Sequence, residues 1–429
     1  MKKILFCLFV SSIFANEICA QITHQNTQDS ARISKIRGIQ LALGWNTYDK
    51  SMLGFQFQNR NSEKWHLNIA TMYGFGSNNI LGVAHADFIL NEATQLGLES
   101  KRFSFEPALI GRENILYTKF QPYLRWQYKS SAQKSFDRFM ELNFNNQFFE
   151  ENFNLLSKRK ASLNPKYPKM GNRFFQVLKY KAANKNKNQA ILIELEHAIT
   201  FNKILQGRFD TINVDRNPTI VLDDEFTEIS KRSSHLKLNL SCTKKFPLPY
   251  GNKKIKFRYF FSTFIQKPDD EFFNYWVGQN NGFFDYRFDE YLLGRGAENG
   301  FFYNQIAKKG LQSKFIGRFF QSDDWISNLN TEVELPGILP VALYLEVLST
   351  GNLKNRYFNS AKSPFIYNGG LCLDVKLAKI YVNLFQSENI TSSQQIQGIN
   401  DLSEKMAFIF DLNKILRKPK VGFHPFNEQ

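Results

Sequence analysis

Cysteine is scarce in this chain: there are four in 429 residues, and two of them, Cys7 and Cys19, fall within the first twenty. If that stretch is removed on export, only Cys242 and Cys372 remain. One disulfide is then the most the chain can form, which excludes a cysteine-stapled scaffold. Long apolar runs are also missing. No segment after the N-terminal one approaches the ~18 apolar residues of a spanning helix, which excludes a bundle of membrane helices. Histidine is sparse and scattered: His24, His66, His85, His197, His235 and His424 include no H-E-x-x-H pair. No metal, cofactor or nucleotide site is therefore expected. The segment LGRGAENG, Leu293 to Gly300, lacks both the lysine of a phosphate loop and its strand–helix surroundings. No G-x-S-x-G elbow occurs, and the acidic pair Glu194 and Glu196 shares one strand face while His197 takes the other. No catalytic residue is assigned.

What the chain does have starts at residue 1. Lys2 and Lys3, the apolar run Ile4 to Ala15 and the small Ala20 have the layout of a secretory signal peptide, with cleavage expected after Ala20. Residues 21–35 read as a flexible lead. The chain is rich in aromatic residues, with 43 phenylalanines and 17 tyrosines, and basic, with 55 Lys and Arg against 39 Asp and Glu. A net charge of +16 raises nucleic acid as a partner, but export argues against it. Outer-membrane lipid and lipopolysaccharide are the expected contacts, with a periplasmic or surface protein as a further possible partner. The cell outer membrane is the expected location.

Period-two alternation recurs from end to end. Lys254, Lys256, Arg258 and Ser262 alternate with Ile255, Phe257, Tyr259 and Phe261, while Phe260 and Phe264 interrupt the polar side. Ile39, Leu41 and Leu43, then Leu371, Leu373 and Val375, repeat the pattern. Such dyads suit strands with lipid on one side and water or a polar plug on the other. The expected fold is all-β: a closed antiparallel transmembrane β-barrel of about 14 strands, within a range of roughly 12 to 16. It would occupy residues 36–429, with polar turns such as Asn46 to Lys50 and Ser387 to Ser393. A soluble β-sandwich shares the alternation and stays open as an alternative.

Three stretches break the meander, near 151–171, 210–234 and 266–308, and are expected as outer loops or an inward-folded plug. The last is dense in charge. Asp285, Arg287, Asp289, Glu290 and Arg295, with Lys254, Lys256 and Arg258 on the preceding strand, form a candidate lumen or loop network.

The segments GWNTYDKSMLGFQFQN (Gly44 to Asn59), MYGFGSNNILGVAHADF (Met72 to Phe88) and FQPYLRW (Phe120 to Trp126) resemble the C-terminal barrel of Bacteroidota outer-membrane proteins that carry an M1-type metallopeptidase domain. The resemblance implies a barrel without the peptidase. The zinc motif is absent, so no catalytic residue carries over, and Lys50 stands after Asp49 where the family often has glycine. The functional expectation is a passive or gated transport channel. A non-catalytic membrane platform and, third, a lipid-active enzyme are the alternatives.

Overall fold

The computed structural model describes residues 38–59, 64–105, 115–129, 136–150, 172–184, 188–206, 209–214, 217–222, 227–249, 253–269, 273–278, 285–290, 292–295, 301–307, 314–316, 320–337, 339–352, 354–355, 365–375, 378–396 and 398–410. The expected signal, the lead and the 151–171 loop lie outside them.

The chain is organised by one antiparallel meander, sixteen strands wide among the described residues. Its first nine strands are β1 (Gly38–Asn46), β2 (Lys50–Gln58), β3 (Trp65–Gly74), β4 (Asn79–Ile89), β5 (Thr94–Phe105), β6 (Ile115–Lys129), β7 (Phe136–Glu150), β8 (Arg173–Asn184) and β9 (Gln189–Gln206). A separate hairpin, β10 (Phe209–Val214) with β11 (Asn217–Leu222), precedes β12 (Thr227–Pro247) and β13 (Lys254–Gln266). A small sheet joins β14 (Tyr275–Val277), β15 (Phe320–Ser322) and β18 (Lys354–Asn355). The meander resumes with β16 (Trp325–Glu334) and β17 (Val341–Thr350), then β19 (Phe365–Val375), β20 (Ala378–Gln386) and β21 (Ala407–Phe410). Sixteen is two more than the expected 14. Residues 210–234, expected as a loop, instead contain β10, β11 and the start of β12. Ser387 to Ser393, expected as a turn, opens the helix Glu388–Ile396, with Thr391 N–H donating to the Ser387 carbonyl at 3.2 Å. No helix among the described residues is long and apolar enough to cross a membrane.

The two faces of the sheet are inverted relative to a water-soluble fold. On β17, Leu343, Leu345 and Val347 are exposed, while Ala342, Tyr344, Glu346 and Leu348 are buried. On β9, Ile191, Ile193 and Leu195 face out and Glu194 and Glu196 face in. Exposed aliphatic residues with buried carboxylates between them are the reverse of the usual partition. The inner face is covered by the chain itself, through the described residues between Phe273 and Ser322. Of these, the inner segment from Asp285 to Ile316 makes contacts from β1 to β21. Trp45 lies 4.8 Å from Phe302 between ring centroids, and Ile306 N–H donates to the Phe408 carbonyl at 2.9 Å. Residues 302 and 306 lie at most about 14 Å apart along the chain, so they can reach both edge strands only if the sheet curls around them.

Connections alternate in length between the two ends of the sheet. At one end they are 59–64, 90–93, 130–135, 185–188, 248–253, 335–340 and 376–377. The opposite end carries 151–172, 207–226, 267–324, 351–364 and 387–406 along with three shorter ones. The start of β1 and the finish of β21 both fall at the short-turn end, as an even strand number requires.

Cys242 and Cys372 are free, so the disulfide open to them is not formed. Cys242 pairs in register with outward-facing Ile191, and Cys372 with inward-facing Ala342, so the two lie on opposite faces.

The β1–β2 turn explains Lys50. Asn46 Oδ1 accepts the N–H groups of Tyr48 (2.8 Å) and Asp49 (2.6 Å), and Lys50 then takes a left-handed φ of 57°. That is the position of a three-residue hairpin loop where glycine is preferred. Lys50→Gly is expected to raise stability by up to about 1 kcal/mol, read as a higher urea midpoint. A lower midpoint would mean that the Lys50 Nζ bond to the Thr47 carbonyl, 2.7 Å, outweighs the backbone strain.

Candidate functional site: a charged interior filled by its own segment

The strands set like charges against each other on the inner face. Register places Lys101 of β5 opposite Lys119 of β6, an arrangement that is repulsive by itself. On β9, Glu194 and Glu196 are two residues apart on the same face. The inner segment supplies the complement to both. Lys119 Nζ donates to Asp289 Oδ1 at 2.6 Å and Lys101 Nζ to the Asp289 carbonyl at 2.8 Å. Arg287 meets Glu194 at 3.3 Å and Glu196 at 3.1 Å, and reaches Asp289 at 3.0 Å, which joins the two sets. The segment thereby adds to pairs the wall already supplies, Lys101 with Glu99 at 2.8 Å, Lys179 with Glu194 at 3.7 Å and His235 with Glu196 at 3.0 Å, and gives Lys119 its carboxylate partner. Burial alone would lower the Arg287 pKa, but Glu194, Asp289 and Glu196 overcome this and hold it well above its ordinary value.

The segment is shaped locally to present these groups. Asp285 accepts the N–H of Asp289 on Oδ1 and of Glu290 on Oδ2, both at 2.9 Å, while Arg295 donates to Oδ2 at 2.6 Å. Phe288 takes a left-handed φ of 54° inside this loop, and its ring packs 4.3 Å from that of Tyr117. Asn145 Nδ2 of β7 donates to the Arg287 carbonyl at 2.9 Å.

A neutral latch lies beside the ionic one. The Tyr286 hydroxyl donates to Glu196 Oε1 and accepts from Lys237 Nζ at 3.1 Å, while His235 Nε2 lies 3.0 Å from the same carboxylate oxygen. Phe273 and Phe175 pack against the Tyr286 ring. Burial first, and then the charge of Glu196, hold the Tyr286 phenol well above its ordinary range. Tyr286→Phe leaves the buried Glu196 and Lys237 each one hydrogen bond short and is expected to cost about 1–3 kcal/mol in urea unfolding. No change in midpoint would mean that solvent already satisfies both groups.

Of the residues singled out from the sequence, Asp285, Arg287, Asp289 and Arg295 come together here, and Glu290 joins through its backbone. Lys256 belongs to a second inner network, 3.8 Å from Glu332, which also binds Lys379 Nζ at 3.0 Å and the Tyr381 hydroxyl at 2.9 Å. Arg258 is buried above Phe260. Lys254 stands exposed at the short-turn end, outside both networks. Phe260 and Phe264 break the polar side of β13 because they pack with Tyr275 and Phe315 of the covering segment.

Lys101, Lys119, Tyr286, Lys237 and His235 were not singled out. Their partners come from distant strands, and only the register reveals them. Ser262 Oγ bonds Asn239 Oδ1 and the Tyr275 hydroxyl, and no serine–histidine hydrogen bond occurs among the described residues.

No protein-family model and no curated protein matches the chain, so the M1-type resemblance gains no support from either. Among solved structures the chain is similar to the copper transporter OprC, at 10% identity and a TM-score of 0.38 over 80% of this chain and 52% of that one. It is also similar to CdiB from Acinetobacter baumannii, at 11% identity and a TM-score of 0.24 over 83% and 63%. The chain thus spans about half of the first protein's length and less than two thirds of the second's.

Proposed function

We propose that this chain is an outer-membrane β-barrel, closed where β1 and β21 approach each other, and that it acts as a gated transport channel with the inner segment as its resting plug. The observation that carries this reading is the inversion of faces. Aliphatic and aromatic side chains point outward along antiparallel strands, nearly all long enough for the ~9 to 11 residues of an oblique crossing, around an interior of neutralised charges. Unpaired sheet edges are costly in lipid, which favours closure. Short turns are the periplasmic feature of such barrels, so the end with the long connections faces outward.

A plug made from the connection between β13 and β16 can leave without unthreading the wall. The charges exposed when it leaves, Lys101, Lys119, Glu194 and Glu196, suit a water-filled passage.

A second reading is favoured by the depth of the same lattice: a permanently filled barrel that serves as a platform for a protein partner. Planar-bilayer recording of the purified protein separates the two. Discrete openings under applied voltage support the channel; silence at every voltage, with a partner retained through mild detergent, supports the platform.

A further inference from the structure

The interior is not uniformly charged. Beside the two edge strands small and apolar groups line part of it, next to the Glu332–Lys379–Tyr381 network that reaches β20. Ala42 of β1, Met52 of β2 and Met72 of β3 form one buried cluster with Leu81, and Cys372, Ala407 and Ile409 belong to another beyond the seam. The opposite wall, from β5 to β13, carries the charged lattice. The resting plug matches this division, setting Phe288 and Ile306 on the apolar clusters and Arg287 and Asp289 on the charged wall.

The same segment also bars the seam. Thr47 N–H of the β1–β2 turn donates to the Leu293 carbonyl at 2.8 Å, Trp45 packs against Phe302, and Gln305 forms a parallel bridge with Phe408 of β21. The strap from Phe302 to Ile306 therefore connects first and last strands that, among the described residues, do not pair with each other. β20 pairs with β21 only over Ala378 to Tyr381. The outer rim of this seam is greasy: Ile39, Leu41 and Leu43 are 57–68% exposed on one side, and Leu384 and Phe385 are 63% and 52% exposed on the other.

We propose that the cargo is a single-chain amphiphile, an acyl chain with a polar head, and that it passes between lumen and bilayer through the seam that the Phe302–Ile306 strap closes. An apolar wall continuous with a greasy seam accommodates the chain, and the charged wall faces the head. The proposal rests on the gated-channel reading.

The test uses the full chain with Cys242→Ser and Cys372→Ser, in an Arg287→Ala background that frees the plug. Gln305→Cys and Phe408→Cys are added; as bridge partners they stand within disulfide reach. The probe is a dodecyl chain with a sulfonated fluorescent head that does not cross vesicles unaided, and transfer is read as protection from an external quencher. Transfer at least roughly tenfold above protein-free vesicles is expected with the thiols reduced. It should fall to background on oxidation and return on reduction, while ion conductance persists, because the bond holds the strap and leaves the part of the plug around Arg287 free to move. Conductance lost together with transfer on oxidation overturns a seam route separate from the channel. Transfer unchanged by oxidation, with conductance present, overturns the lateral route and leaves the channel standing. Absence of conductance in the Arg287→Ala parent overturns the channel reading and the route with it.

Discussion

Arg287→Ala is expected to convert a reconstituted protein that opens rarely into one that conducts for most of the recording. Arg287 bridges Glu194 and Glu196 from the inner segment, and it also steadies Asp289 between two lysines. Removing one partner of a buried pair typically costs about 3–5 kcal/mol. Lys179 stays 3.7 Å from Glu194 and His235 3.0 Å from Glu196, so the lower end of that range is expected. That cost falls on the plugged state alone, since in an unplugged lumen water solvates both carboxylates. A difference of about 3 kcal/mol shifts the open-to-closed ratio by roughly a hundredfold. Adding Glu196→Gln should recover part of the loss, because it removes one of the two carboxylates that Arg287 neutralised. Single-channel recording of the three proteins is decisive. An Arg287→Ala protein as quiet as the parent would show that the segment is a fixed filling.

Leu345→Arg should nearly abolish folding into lipid vesicles. Leu345 is 43% exposed in the middle of β17, between the similarly exposed Leu343 and Val347. A surface change at such a position in a water-soluble protein usually stays within about 0.5 kcal/mol. On the lipid face near the bilayer midplane, arginine costs about 2–4 kcal/mol. The control is Leu402→Arg, at a residue 58% exposed in the short helix between β20 and β21, outside the strands. Folding yield, read by gel mobility without heating, should drop for Leu345→Arg and hold for Leu402→Arg. Equal yields would mean that β17 does not face lipid.

How much of this was legible depended on the range of the interactions involved. The alternation of β13 and β19 is a property of neighbouring residues, so the division of faces could be read directly from Lys256, Arg258, Leu371 and Leu373. The same local rule placed Glu194 and Glu196 on one face. It could not show that the imidazole beside Glu196 is His235 of β12, because that contact depends on strand register. β21 escaped notice for another reason: it is four residues long, and Ala407, Phe408 and Ile409 are all buried, so no period develops. The inner segment was visible as a dense group of charges at Asp285, Arg287, Asp289 and Arg295. Whether it folded outward or inward was decided by wall charges that take a partner from the segment, Lys119 above all, and Lys119 meets Lys101 only once the sheet forms.

The most direct test of the inverted faces is spin labelling along β17 in lipid vesicles, with the two native cysteines replaced. Labels at Leu343, Leu345 and Val347 should collide readily with oxygen dissolved in the bilayer and hardly at all with a water-soluble nickel chelate, while a label at Leu402 shows the reverse. Strong nickel collisions at the three β17 positions would place that face in water and contradict the membrane barrel.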